Sequence, residues 1–284
     1  MSTPKSMDLS SGLIYTKVKT DLLGHAALRA DAKGNKRGTV LLIHGFTGSK
    51  EDFIHVLPLL AELGWDSIAV DQRGCHESPG SEDVSEYVMA TYAADMQALV
   101  NSFDQPVHLL GHSFGGLVAQ AAASLGCNLK SLTIFCSGPG AIPGESEIWL
   151  KGFIQDLQNR PKIDIVEENL QSMSGNSRDG LSTEVEQFLK TRWLNTKTAA
   201  LLGKAEILLN QENLTTKMQQ LRLAGLPILV THGENDDAWP IAEQLEMAHL
   251  IGAEYVVIPD SAHSPNVENY PVMVEILDQF WSAN

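Results

Sequence analysis

The chain has 284 residues, 43% hydrophobic and 19% charged, with 23 Gly and 12 Pro. That composition excludes disordered, collagenous and coiled-coil classes and leaves ample apolar material for a core. Lys and Arg number 20 against 35 Asp and Glu, a formal charge of −15, which repels phosphate backbones and anionic lipid surfaces and argues against a nucleic-acid partner.

Two early strands come first: Ile14 to Lys19 alternates with period two, and His25 to Ala30 is its expected antiparallel partner. The rhythm then changes. Thr39 to His44 (TVLLIH) is a continuous apolar run, as in a strand buried on both faces, and a helix is expected over Glu51 to Leu63. Ser67 to Val70 leads through a Gly/Pro-bearing loop into a helix over Tyr87 to Phe103, with apolar residues every fourth position. Val107 to Leu110, the Ala-rich helix Phe114 to Leu125 and the strand Leu132 to Phe135 continue the alternation. Such repetition implies βαβ units, a mainly parallel sheet flanked by helices, and ligands at strand carboxyl ends. Residues 138–225 interrupt it with a mostly helical, polar stretch carrying loops such as Ser172 to Gly180, read as an inserted cap. The core is then 1–137 and 226–284, resuming with the strand Pro227 to Thr231, a helix from Pro240 to Leu250, the strand Tyr255 to Ile258 and a closing helix from Pro271 to Trp281.

Chemistry concentrates at four strand ends. Gly111-His112-Ser113-Phe114-Gly115 matches G-x-S-x-G between a strand and a helix, where a sharp turn presents a nucleophilic serine at a helix N-terminus; a plain helix N-cap is the competing reading of Ser113. A serine hydroxyl needs a base, and the base an orienting carboxylate. His263 follows the strand Tyr255 to Ile258, and Asp236 follows Pro227 to Thr231, with Glu234 and Asp237 as rivals for the carboxylate role. Two N–H donors for an oxyanion are expected from Phe114 and from Phe46 in the loop His44-Gly45-Phe46-Thr47-Gly48. Trp149, Phe153, Met173, Trp193 and Trp239 are candidates to line an apolar substrate pocket, with core packing the competing role for each. Arg160, Arg178 and Arg192 are expected chiefly as solvated surface charges, with reception of a substrate carboxylate as the alternative.

The segments HGFTGS, DQRGCHES, GHSFGG, GENDDAWP and SAHSPNVENYP, in this order, resemble the α/β-hydrolase fold family with a helical cap along nearly the whole chain. The resemblance implies a Ser113, Asp236, His263 triad, Phe46 and Phe114 amides as oxyanion hole, and a pocket between core and cap. Dehalogenases and epoxide hydrolases of this fold carry Asp where Ser113 stands, and C–C bond hydrolases usually have Trp where Ser264 stands. His76 occupies a position where the family often has a second glycine. The expected activity is that of a serine hydrolase on a small carboxylic ester, thioester or lactone. A C–C bond hydrolase or a cofactor-free perhydrolase is the alternative within the fold, and a non-catalytic ligand-binding protein the alternative of another class. No cofactor is expected, because neither G-x-G-x-x-G nor a phosphate-binding loop is present. No metal site is expected either: Cys75, Cys127 and Cys136 are too few for a disulfide framework, and no two stand at metal-site spacing. Without a signal-peptide pattern or an apolar run of about 18 residues, a cytoplasmic monomer or homodimer with no membrane span is expected.

Overall fold

A computed structural model describes residues 2–9, 12–176 and 180–284, the side chains of 173–176 excepted. Strands β1 (Leu13–Lys19) and β2 (Gly24–Ala30) form an antiparallel hairpin, and β3 (Gly38–Ile43) follows. A 3₁₀ turn, Lys50–Phe53, precedes α1 (Val56–Glu62), then β4 (Trp65–Val70). A second 3₁₀ turn, Val84–Glu86, precedes α2 (Met89–Asn101), β5 (Val107–His112), α3 (Phe114–Ser124) and β6 (Leu129–Phe135). Five helices then intervene: α4 (Gly144–Asn159), α5 (Lys162–Asn176), α6 (Thr183–Asn195), α7 (Thr198–Asn210) and α8 (Thr215–Leu223). The chain closes with β7 (Ile228–Gly233), α9 (Ile241–Ile251), β8 (Glu254–Ile258), α10 (Pro265–Glu268) and α11 (Tyr270–Ala283).

The eight strands lie in one sheet in the order β1-β2-β4-β3-β5-β6-β7-β8, parallel from β4 onward. Side chains alternate across it. Val40 and Leu42 face a core with Leu57 and Leu60 of α1 and Leu277 and Trp281 of α11, while Leu41 and Ile43 face a second core with Leu99 of α2, Leu117 of α3 and Met247 of α9. Every residue of β5 and β7 is buried, which is why these strands lack the apolar/polar alternation of a half-exposed strand.

Two expected helices start later than their periodicity indicates. The segment expected as helix from Glu51 opens as a 3₁₀ turn because Lys50 is tied to β4's exit: its N and Nζ bond the two Asp71 carboxylate oxygens at 2.7 and 2.9 Å. The helix expected from Tyr87 begins at Met89, because Val88 caps it in an extended conformation. The expected loop from Ser172 is helical as far as Asn176, since Ile165, Val166 and Leu170 keep one face of α5 buried; residues 177–179, including Arg178, lie outside the described residues.

Candidate active site

The turn from β5 into α3 is a single residue, Ser113, at φ 55° and ψ −120°. A non-glycine residue there stores roughly 1 to 3 kcal/mol of strain, which the surroundings must hold in place. The glycines on either side explain how. A Cβ on Gly111 would lie 2.2 Å from the Gly115 carbonyl oxygen, and one on Gly115 2.6 Å from the His44 carbonyl oxygen, so the backbones pack where no side chain fits. The Ser113 amide donates to the Phe135 carbonyl on β6 at 2.8 Å, fixing the turn.

The loops after β7 and β8 complete the arrangement. His263 Nε2 lies 3.0 Å from Ser113 Oγ, and its Nδ1 lies 2.8 Å from Asp236 Oδ1. Of the three candidate acids it is Asp236 that turns inward: Glu234 accepts from the Asp260 amide instead, and Asp237 is exposed. Burial would raise the Asp236 pKa, but hydrogen bonds from His263, the Gln244 amide at 3.1 Å and the Ala238 N–H at 3.1 Å outweigh it and hold the pKa below the usual value. The carboxylate therefore stays ionised and available to an imidazolium.

Three supporting residues escaped the sequence reading. His112 donates from Nε2 to the His263 carbonyl at 2.7 Å; burial depresses its pKa to about 3, so it remains neutral and anchors the His263 loop. Gln244 clamps Asp236 from α9. Lys204 of α7 is fully buried, with Nζ bonded to the Phe46 carbonyl and 3.1 Å from Cys75 Sγ. A hint existed only for His112, inside G-x-S-x-G, and for Lys204, an isolated cation among Ala and Leu in TAALLGKAEILL.

A cavity of about 580 Å³ opens onto Ser113 and His263, within the range of small-molecule sites. Phe46, Trp149 and Trp193 line it. Phe114 does not: its ring is buried against Tyr92, leaving only its amide beside Ser113, at the first position of α3 where no intrahelical acceptor exists. Phe153 faces a second cavity between α4 and α5 that shares Trp149 with the first. Trp239 is a correction to the expected pocket: it is fully buried, its indole N–H bonds the Gly140 carbonyl at 3.2 Å and its ring fills the space beside Gly138, so it packs the entrance to the insertion. The Met173 side chain lies outside the described residues. Arg160 is paired with Asp156 and Glu168 near the surface, whereas Arg192 departs from the expected surface role. It is completely buried and bonds Asp52 at 2.7 Å and the Ser2 carbonyl at 3.1 Å. Cys75 likewise has a cationic neighbour that its sequence context did not show, yet burial raises its thiol pKa against the influence of Lys204.

Among the described residues, three groups come close enough to share a metal ion: His112, Cys136 and His263; Asp236, Asp237 and His263; and Glu51, His76 and Glu77. His263 is committed to Ser113 and Asp236 in the first two. In the third, Lys50 Nζ already bonds Glu51 and Glu77. No helix among the described residues is long and apolar enough to cross a membrane.

Known proteins place this geometry in context. The proline iminopeptidase of Lacticaseibacillus rhamnosus is 26% identical over 267 residues, covering 86% of this chain and 90% of that protein. That of Saccharolobus solfataricus is 25% identical, covering 89% and 88%. Among solved structures, a bromoperoxidase from Bacillus anthracis superposes with a TM-score of 0.76 at 19% identity, over 95% of this chain and all of that one. The enol-lactonase from Burkholderia xenovorans does so with 0.75 at 17%, over 94% of this chain and all of that one. The family model of the alpha/beta hydrolase fold matches residues 38–270, so the chain belongs to the α/β-hydrolase family and is a hydrolase of that fold.

Proposed function

We propose that the protein is a serine hydrolase that transfers the acyl group of a small carboxylic ester, or of a related thioester or lactone, to Ser113 and then to water. The observation that carries this reading is the unbroken hydrogen-bonded chain Ser113 Oγ, His263, Asp236, with Ser113 held at positive φ on the turn into α3. His263 takes the Ser113 proton as Oγ attacks the carbonyl and returns it to the leaving group. Asp236 fixes the imidazole tautomer and stabilises the imidazolium. The Phe114 and Phe46 amides receive the oxyanion, together worth a few kcal/mol in the transition state. Water then releases the acid by the same route in reverse. Residues 138–225 serve as a cap over the pocket, and no cofactor enters the sequence of steps.

A second reading has its own support: hydrolysis of an amide next to a substrate amine. The proline iminopeptidases align over most of this chain, and the cavity wall carries Glu145 and Asp237, besides Asp52 already paired with Arg192, with no Lys or Arg among its described lining, which suits a cationic group. One experiment separates the readings. The protein is labelled with a fluorophosphonate, the adduct is mapped, and turnover is compared on p-nitrophenyl esters and on proline p-nitroanilide, with Ser113→Ala as control. Ester turnover well above anilide turnover supports the first reading, and the reverse order supports the second. A folded protein with no adduct at Ser113 sinks both.

A further inference from the structure

The oxyanion loop is held from outside the core. Between His44 and Gly48 the chain must bring the Gly45–Phe46 peptide against the nucleophile, and it does so closely: a Cβ on Gly45 would stand 3.1 Å from Ser113 Cβ. Part of this turn is built locally. His44 bonds the Gly45 carbonyl at 2.8 Å from Nδ1, and the Gly48 amide reaches the Gly45 carbonyl at 3.3 Å. The Phe46 carbonyl, however, receives its hydrogen bond from Lys204 Nζ, on helix α7 of the insertion and 158 residues away. The same Nζ stands 5.5 Å from the Phe46 ring centroid and 5.8 Å from that of Phe114, the two residues whose amides are proposed above as the oxyanion donors.

Burying a lysine this completely is costly unless its donors are used. Here the approach of α7 is arranged to use them. Gly203, beside Lys204, lets the helix lie directly on Tyr87, since a Cβ there would come within 2.3 Å of Tyr87 Cβ and 2.6 Å of the Tyr87 carbonyl. Ala200, one turn earlier, lies over Gly74, where a Cβ would stand 2.9 Å from the Ala200 Cβ. With α7 seated in this way, Nζ has the Phe46 oxygen, the Cys75 sulfur and two aromatic faces around it, and none of these is a substrate group.

We propose that Lys204 is a positioning residue for acyl transfer: by pinning the Phe46 carbonyl it fixes the Phe46–Thr47 peptide and, through the backbone dihedrals of Phe46, holds the adjoining Gly45–Phe46 peptide with its N–H toward the oxygen that becomes the oxyanion. One of the two oxyanion donors then depends on the docking of the insertion. This rests on the serine-hydrolase reading above, and the substrate carbonyl never touches Lys204.

The test uses the full chain and a p-nitrophenyl ester. Lys204→Met keeps the aliphatic stem and removes the amine. Losing one aligned oxyanion donor is expected to lower kcat about 100-fold, with KM within about threefold because ground-state binding is untouched. Affinity for a trifluoromethyl ketone, which forms the oxyanion on Ser113, should fall in parallel with kcat, while affinity for the product acid should not. Lys204→Arg, which restores a donor, should recover part of the loss. A folded Lys204→Met variant with kcat within threefold of the parent overturns the inference, as does a loss confined to KM. Should Met fail to yield folded protein, Lys204→Gln keeps a polar end group but stops one bond short of the Nζ position and so releases the Phe46 carbonyl: a kcat reduced about tenfold or more at constant KM supports the role, and an unchanged kcat overturns it. Ser113→Ala in the same assay separates the two levels. If the parent turns over and Ser113→Ala does not, an unaffected Lys204→Met sinks the positioning role alone; if Ser113→Ala turns over like the parent, both fall.

Discussion

Replacing Arg192 with Met should destabilise the protein severely at neutral pH and much less in mild acid. Arg192 is wholly buried, and its guanidinium meets Asp52, which is 2% exposed, at 2.7 Å. Even with this partner, burial pushes the Asp52 pKa up from 3.8 to about 6, with Glu51 adding to the push and Arg192 opposing it. A folded-state value about 2 units above the unfolded one means the fold prefers the protonated acid. The group's contribution is thus most favourable below about pH 4 and is lost as pH rises through 6, a swing of about 3 kcal/mol. Without Arg192 the carboxylate at pH 7.5 is a buried charge with no counter-ion, which typically costs 3 to 5 kcal/mol; at pH 5 the folded protein can protonate it instead, and the loss should shrink to about half. Urea unfolding followed by tryptophan fluorescence at the two pH values measures both numbers. Adding Asp52→Asn to Arg192→Met should recover about 2 kcal/mol at pH 7.5 and remove the pH dependence, because no charge is left to bury. A loss below about 1 kcal/mol at pH 7.5, or an equal loss at both pH values, would refute the account of this pair.

Two further outcomes are expected. Asp236→Asn keeps the shape of the site but lets the amide stabilise the wrong imidazole tautomer, so kcat on esters should fall by about 10³ to 10⁴ while Tm changes little; a fall under tenfold would remove Asp236 from the orienting role. Gly203→Ala places a methyl group against Tyr87 backbone and Cβ atoms that cannot swing away. Lifting α7 should therefore cost roughly 1 to 3 kcal/mol and reduce kcat through the displaced Lys204; unchanged stability by thermal melting would show that α7 is not seated against Tyr87 as described.

Much of this architecture was legible because the determining signals are local. The VLLI of TVLLIH and the ILV of PILVT are apolar without interruption since β3 and β7 are covered on both faces, and the glycines around Ser113 are forced because a Cβ there would stand 2.2 to 2.6 Å from backbone oxygens. The choice of Asp236 over Glu234 and Asp237 was not legible. It depends on which of three neighbouring acids faces His263, and the Gln244 and Ala238 donors that settle the direction lie in and before another helix. Trp239 shows the converse error: nearness in sequence to Asp236 placed it by the pocket, whereas it is fully buried with its indole N–H on the Gly140 carbonyl. Arg192 and Lys204 were illegible for a deeper reason, because their partners Asp52 and Phe46 lie 140 and 158 residues away and nothing in the intervening sequence encodes the pairing.

Those two cations also bear on how a substrate reaches Ser113. Both come from the same side of the insertion, α6 and α7, and both end on the segment 46–52 that follows β3. Access by raising α6 or α7 would separate a buried ion pair and strand a buried lysine, each a cost of several kcal/mol, and would at the same moment release the Phe46 carbonyl. The opposite wall is held differently. On α4, Trp149 is 54% exposed and stacks on Phe153, Ile148 projects into solvent, and Glu145 lines the cavity. Displacing such side chains costs rotamer entropy and a little apolar contact, far less than breaking buried charge pairs. The cheaper entrance is therefore past Trp149, with α6 and α7 staying seated and the proposed oxyanion donors left in place while substrate comes and goes.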